Sequence, residues 1–485
     1  MVEGGPLKNS AHQIYPFYDA GCMADLLDPR RTTALMAVVF VVTFMDGLDG
    51  SIVNVALPDI GEHFGVDTAT VAWVAIIYFM VLAGTLVAFA RLAAKGGVRR
   101  ILAWGISIFT VSSLVCGLSQ SLDVLLVARG VQGLGAAMMG AAGPICCTEH
   151  LPPQKLGFGM AVLTIGASAG FALGPAVGGF IVDLASWHWI FLINVPIGLV
   201  FIPILLYAAP KRALGPLREV DWAGAGLLFI SIAAGTLALE MASYPEKRAI
   251  TVASAIVFLV GMASFVLFER TREHPLLDIR MFKRLDFSSI FLCLMLTNMS
   301  YMGMLYLLPF LGQVYMGETA TVVGSVMLIS AAVTALLGMP IARWSDRTGR
   351  RMFCVATGVI VFSSFVGFGV IGGDITIPLM CCLMFVMGLG WAFCGGPMGS
   401  RLVEHSGEEK DMASALMNEA YYIGGTVGTA LIAMLFTVFS GTGGIDIQDV
   451  PPDLFIEGFV PCAFVCAGMG LIIAVLSAAV KDGES

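Results

Sequence analysis

Four ionisable side chains lie deep inside long apolar runs of the sequence: Asp46, Asp49, Arg129 and Glu419. An ionised group at the centre of a bilayer costs roughly 2.5–3.5 kcal/mol on insertion scales, so each is a functional candidate by default. The chemistry open to this set is carriage of protons and attraction of cations. A carboxylate beside a guanidinium stays ionised more readily and loses that help when the two separate. Asp49 and Arg129 suit such a pair: counted along their apolar runs, both lie about 9–12 Å below the outer surface. Conformational separation would then load or release a proton at Asp49. The alternative is a static pair that fixes helix packing; it predicts that Asn at position 49 spoils folding, whereas coupling predicts normal expression with lost efflux. Asp46 stands one turn before Asp49 on a nearby helix face. Two close carboxylates resist joint ionisation, so Asp46 is read as a second proton carrier or a contact for a cationic substrate. An acid in a wet cavity pairing with Arg129 is the competing reading. Glu419, about 12 Å from the inner surface, is a candidate cation contact from the second part of the chain, or a hydrogen-bonded lumen glutamate. Glu240 and Asp183, at outer span ends, read as solvated.

Other chemistries find no support. The 11 cysteines fall almost wholly in apolar stretches with no C-x-x-C, and the six histidines are scattered. They read as packing residues, with no metal site and no disulfide framework. No P-loop and no catalytic constellation is present, so the chain is expected to be neither an enzyme nor an ATPase, and to need no cofactor.

The elements that position these residues follow from composition. Hydrophobic residues make up 58% of the chain, charged residues only 12%, and the mean hydropathy is +0.89. A soluble chain carries about a quarter charged residues; the apolar excess here must face lipid. Runs long enough to cross a bilayer lie near 33–57, 70–92, 101–118, 123–147, 157–182, 188–209, 221–242, 249–268, 286–309, 320–342, 352–371, 376–400, 411–437 and 457–480. With the N-terminus inside, all of the 26 Lys and Arg except Arg129, Lys247 and Arg248 fall in cytoplasmic segments, as the positive-inside rule requires. The expectation is an all-α polytopic membrane protein with fourteen transmembrane helices and both termini cytoplasmic. Residues 1–29 lack the basic start and apolar core of a cleavable signal.

Two cytoplasmic turns resemble each other: residues 90–100 and residues 342–351, each after the second span of its half. Duplicated halves are expected of secondary transporters, with the site at their interface near the membrane midplane. The expected organisation is a tail at 1–32, a six-helix half at 33–210, a linker with two extra helices at 211–270, a second six-helix half at 271–481 and a short tail at 482–485.

The second turn carries Asp346, Arg347, Gly349, Arg350 and Arg351, and resembles the loop signature G-x-x-x-D-R-x-G-R-R of the major facilitator superfamily. The first turn has Ala94 in place of the acid and Lys95 in place of the arginine. Residues 48–58, Leu-Asp-Gly-Ser-Ile-Val-Asn-Val-Ala-Leu-Pro, resemble the first-helix motif of the fourteen-helix drug:proton antiporters. Residues 126–135 resemble their fourth-helix arginine motif, residues 170–179 their fifth-helix antiporter motif, and residues 187–196 the start of their sixth helix. The resemblance covers most of residues 45–210; the later half adds only the turn at 342–351 and Gly424-Gly425-x-x-Gly428. It implies the major facilitator fold, with helices 1 and 4 lining the central path. It also implies that Gly170, Gly174, Pro175 and Gly178 let helix 5 approach its neighbours, seal the path and pivot, beyond the close packing that small residues provide anyway. Asp346, with Arg347, Gly349 and Arg350, would latch the outward-open state, unless these arginines only set topology; Ala94 puts the equivalent latch of the first half in doubt.

The function expected is proton-coupled antiport by alternating access: export of lipophilic, often cationic drugs from the cytoplasm across the plasma membrane. Asp49, Asp46 and Arg129 would couple the proton; Asp46, Asn54 and Glu419 would contact substrate. One inward proton gains about 2.3 kcal/mol per 100 mV, besides the pH gradient. The expected partners are small molecules, protons and lipid, with no nucleic acid, on a monomer. A narrow-specificity exporter of a metabolite, metal chelate or peptide-like antibiotic is the alternative within the fold; a non-transporting membrane sensor is the alternative outside it.

Overall fold

Lipid supplies no water to satisfy backbone N–H and C=O groups, so apolar runs of this length are stable only as helices, which pair those groups internally. The computed structural model of the protein describes residues 29–93, 97–150, 156–209, 222–242, 244–271, 279–405, 410–442, 445 and 450–480. No strand occurs among them. In chain order the spans are α1 (Pro29–Phe64), α2 (Thr68–Leu92), α3 (Val98–Gly117), α4 (Leu122–His150), α5 (Leu156–Leu184) and α6 (His188–Ala208). Next come α7 (Trp222–Met241) and α8 (Arg248–Arg270), then α9 (Leu285–Tyr315), α10 (Ala320–Thr348), α11 (Arg350–Ile371), α12 (Ile377–Glu404), α13 (Lys410–Ser440) and α14 (Pro452–Ala479). Thirteen qualify as membrane spans by length and hydropathy among the described residues, and α7 has a shorter apolar stretch at Ala223–Leu239. Its full length still rises about 30 Å, the thickness of a bilayer core.

α1 does not end at residue 57; it continues through Pro58 to Phe64, because the buried side chain of Ile60 keeps the following turn packed in the core. Asp67 and Thr319 start α2 and α10 by accepting from the backbone N–H of Thr70 and Val322, which satisfies donors a helix start leaves free. Gly349, with φ of 99°, takes the left-handed region in the turn between α10 and α11, which suits glycine at that place in the turn motif.

The helix pairings repeat between the two sets of six. α1 packs on α5, α2 on α4 and α3 on α6; correspondingly α9 packs on α13, α10 on α12 and α11 on α14. The two sets meet where α2 faces α13 and α5 faces α10. α7 lies against α2 and α13, so it bridges the two sets, and α8 packs on α7. Gly84 of α2 sits so close to Phe229 of α7 that a Cβ would collide with the ring. α8 leaves Val252, Ile256, Leu259 and Val260 exposed, which places them toward lipid.

With sides named from the Lys/Arg distribution, one apolar core crosses both sets toward the outer side, joining Ile52, Val55 and Leu57 to Leu305, Phe310 and Val323. Toward the cytoplasm the core divides. One part, around Val39, Val87 and Ile106, belongs to the first set with α7 and α8; another, around Phe287, Met398 and Ile473, belongs to the second.

Candidate functional site

Asp49 is wholly buried at the centre of a polar knot. Arg129 donates from Nη1 to its Oδ2 at 2.5 Å. Gln132 donates from Nε2 to Oδ1 at 2.7 Å, and Asn194 donates to the same oxygen at 3.3 Å. Arg129 is 1% exposed and also donates to Val74 O at 2.9 Å from Nε and to Gln132 Oε1 at 2.7 Å from Nη1. Its guanidinium lies 4.3 Å from the centre of the Tyr78 ring. Gln132 completes its own set through Ser113 Oγ at 2.9 Å. A buried ion pair holds only when the remaining lone pairs and protons are matched in this way. The helices explain the convergence: Gln132 follows Arg129 by one turn of α4, and Asn194 is an amide set into the apolar α6.

Asp46, one turn from Asp49, has different surroundings. It is half-buried and borders a cavity of about 240 Å³ between the two helix sets. Tyr78 of α2 donates to its Oδ1 at 2.8 Å, and Tyr422 of α13 donates to its Oδ2 at 3.1 Å. No other carboxylate borders the cavity among the described residues; Phe79, Phe171, Tyr301, Trp391 and Tyr421 supply aromatic faces to the wall, with Ser168 and Thr334 as small hydroxyls. The rings support each other: Tyr301 and Trp391 lie 4.3 Å apart, and Tyr421 stands edge-on to Tyr422 at 5.2 Å. Such faces attract cations through their quadrupoles, and the carboxylate supplies the charge.

The outer ends of the two sets are tied by polar bonds. Asp183 of α5 accepts from the backbone N–H of Ala320 at 3.2 Å and of Thr321 at 2.8 Å, at the start of α10. Gln313 donates to Val55 O at 2.8 Å, and Tyr306 donates to Thr68 O at 2.5 Å. Together with the shared apolar core, these contacts close the outer side.

A family model described as Major Facilitator Superfamily matches residues 39–429. The chain belongs to the major facilitator superfamily. It is 35% identical over 267 residues to the Escherichia coli K12 protein provisionally named multidrug resistance protein MdtD, covering 55% of this chain and 56% of that protein. The same identity and coverage hold for the protein of that name in Escherichia fergusonii. The chain thus spans about half the length of the curated relatives it matches. Among solved structures, a bacterial homologue of the human lysosomal transporter Spinster, inward-facing and unoccupied, superposes with a TM-score of 0.67 at 15% identity, covering 93% of this chain and 97% of that one. A POT family transporter in complex with 5-aminolevulinic acid gives 0.67 at 15% identity, covering 92% and 96%. These two show the fold alone. The protein is a multi-pass membrane protein of a transporter family, a class without enzymatic activity; in bacteria such proteins lie in the plasma membrane.

The expected site residues fall into separate groups in the fold. Asp49 and Arg129 meet as a pair, and Arg129 is therefore not the partner of Asp46. Asn54 is 5% exposed and donates to Gly50 O and Ser51 O of its own helix at 3.4 and 3.5 Å, away from the cavity. Glu419 is buried one turn before Tyr422, and neither of its carboxylate oxygens has a hydrogen-bond partner among the described residues. Gly170, Gly174 and Gly178 press α5 onto α1 within the first set, close to Phe44, Ser51 and Ile52. The contact between sets comes from the next residues: Pro175 O faces Gly324, and Gly179 faces Ala320 O.

Asp183 is exposed, as expected of an acid at an outer span end, and it also accepts from two backbone donors at the start of α10. In the turn at 342–351, Arg350 pairs with Glu404 and Arg351 donates to Ala478 O, both within the second set, while Arg347 is exposed. The side chain of Asp346, the first-turn residues Ala94 and Lys95, the side chain of Glu240 and the tails at 1–28 and 481–485 lie outside the described residues. Gln132, Asn194, Tyr78 and Tyr422 were missed as site residues. Gln132 and Asn194 stand in the motif segments at 126–135 and 187–196, and a tyrosine or amide in an apolar span is the signal that was there to use.

Proposed function

We propose that the protein is a proton-coupled exporter of lipophilic cations, and that Asp46 is the acid at which proton and drug compete. The observation that supports this most is the placement of one carboxylate in an aromatic wall, inside a cavity between two repeated helix sets. A cation entering that cavity gains the carboxylate and the ring faces together; a proton on Asp46 removes the charge that held it. Asp49 does not meet the same need in this conformation, since three donors and full burial keep it from the cavity. It is assigned here as the charge that holds Arg129 between α1 and α4. The multidrug name of the relatives agrees with the substrate class.

Exchange of one proton for one monovalent cation at a single carboxylate moves no net charge, so the pH gradient alone would drive it. The test is reconstitution into proteoliposomes with an imposed pH gradient and a panel of cationic dyes. Wild-type protein is expected to release protons on dye addition and to move dye against its gradient. Asp46→Asn is expected to fold normally and lose gradient-driven transport by at least tenfold. Wild-type transport by Asp46→Asn would overturn the assignment of Asp46, and proton flux with one neutral metabolite but no cation would overturn the substrate class.

A further inference from the structure

We propose that Tyr422 is the positioning residue through which the second helix set reads the charge on Asp46. The inference rests on Asp46 being the exchanging acid. Asp46 receives one phenolic hydroxyl from each side of the molecule: Tyr78 belongs to α2 in its own set, and Tyr422 to α13 in the other. An ionised carboxylate only accepts, and its two oxygens take both hydroxyls as donors. Once protonated, one of its oxygens carries a hydrogen that must itself find an acceptor, and one of the two phenol bonds is weakened or reversed. A cation in the cavity competes for the same lone pairs. Tyr78 is held independently of Asp46, because its ring covers the Arg129 guanidinium and its backbone abuts Gly133 so closely that a Cβ there would collide. The bond from Tyr422 is therefore the one that yields.

Loss of that bond has a route to the rest of the second set. α13 is seated on α9 through Gly424 against Asn298 and Gly428 against the backbone of Met299. Contacts this close transmit movement of α13 to α9 as a body rather than absorbing it. α9 in turn carries Tyr306 and Gln313, which tie the outer side to Thr68 and Val55. Occupation of Asp46 by a proton or drug thereby releases a bond between the sets at mid-membrane, and the released set carries two of the bonds that close the outer side.

The test uses the full-length protein in lipid nanodiscs, with amide hydrogen exchange followed over residues 55–68 and 311–324. Tyr422→Phe keeps the ring and removes only the hydroxyl. It is expected to raise exchange of these segments about tenfold, the worth of one hydrogen bond to a charged group, and to lower dye turnover while dye affinity changes less than threefold. Asp46→Asn is expected to raise exchange similarly, and the double variant no further than either single one. Tyr78→Phe is expected to leave the outer segments unchanged. Additive effects of Tyr422→Phe and Asp46→Asn, or no effect of Tyr422→Phe, would overturn the role of Tyr422. If Tyr422→Phe is silent while Asp46→Asn still abolishes transport, only this inference fails. If Asp46→Asn transports normally yet the exchange cycle is non-additive, the bond between sets stands and the reading of Asp46 as the exchanging acid fails.

Discussion

Two aspartates one helical turn apart have opposite environments, and the difference lies in their donors. Asp49 has a guanidinium, two amides and no route to the cavity; Asp46 has two phenols and an open side. Removing one partner of a buried ion pair leaves the other charge uncompensated, at about 3–5 kcal/mol. Asp49→Asn is therefore expected to lower the thermal midpoint and the folded yield, while Asp46→Asn keeps both. Thermal unfolding of the two purified variants side by side checks this. Equal midpoints would return Asp49 to the coupling role that its motif implies. Replacing Asp49 and Arg129 together by leucine is expected to recover part of the lost stability, since no charge is then stranded. Glu419 differs from both: buried and without a hydrogen-bond partner among the described residues, it belongs to the second set as Asp46 belongs to the first.

At the scale of the helices, glycine decides which pairs approach. A Cβ at Gly174 would overlap Ser51 Oγ and the backbone nitrogen of Ile52. Overpacking of this kind typically costs 1–3 kcal/mol, and here the Ile52 backbone nitrogen stands in the way even if the Ser51 hydroxyl turns aside. Gly174→Val is expected to abolish folded expression, whereas Gly226→Ala on α7, with nothing within 4 Å, is expected to be neutral or slightly stabilising through better helix propensity. Size-exclusion profiles of the two variants in detergent distinguish the outcomes; a monodisperse Gly174→Val protein would show that α1 and α5 can separate without loss of fold. The fifth-helix motif thus serves two contacts. Gly170, Gly174 and Gly178 fasten α5 to α1, and Pro175 with Gly179 brings α5 against α10. The inserted α7 is tied to the outer start of α2 through Tyr244, which donates to Asp67 Oδ2 at 2.6 Å.

For the molecule as a whole, the shared outer core and the divided cytoplasmic core describe a transporter with its outer side closed. The polar contribution to that closure includes Asp183 at the N-terminus of α10, where a negative charge is favourable and two backbone donors are satisfied. Asp183→Ala removes both bonds. It is expected to shift the balance toward an open outer side by about 1–2 kcal/mol, seen as faster hydrogen exchange at residues 320–324 with an unchanged thermal midpoint. Exchange equal to wild type would mean that the Asp183 bonds add nothing to the closure. α7 adds a separate constraint, because it touches both α2 and α13 and so spans the line along which the sets must move.

The sequence by itself determined the spans and the positions of the charges within them. Hydropathy, chain length and Lys/Arg placement act within one segment, and lipid leaves helices as the only solution for each. The repeat was legible for the same reason, since related turns follow related spans. Depth along the spans and the motif resemblance suggested Asp49 and Arg129 as a pair, and the two side chains meet at 2.5 Å. Only the tertiary structure decided which aspartate meets the cavity, because three residues of helix, an offset of about 60° and about 4.5 Å, separate a sealed site from an open one. It alone supplied Tyr422, which lies 376 positions from the carboxylate it holds, and it set the exposed Asp183 against the start of another helix. Hydrogen bonds are short and directional, so the partners of a buried acid depend on how helices distant in the chain are packed, and hydropathy carries no record of that.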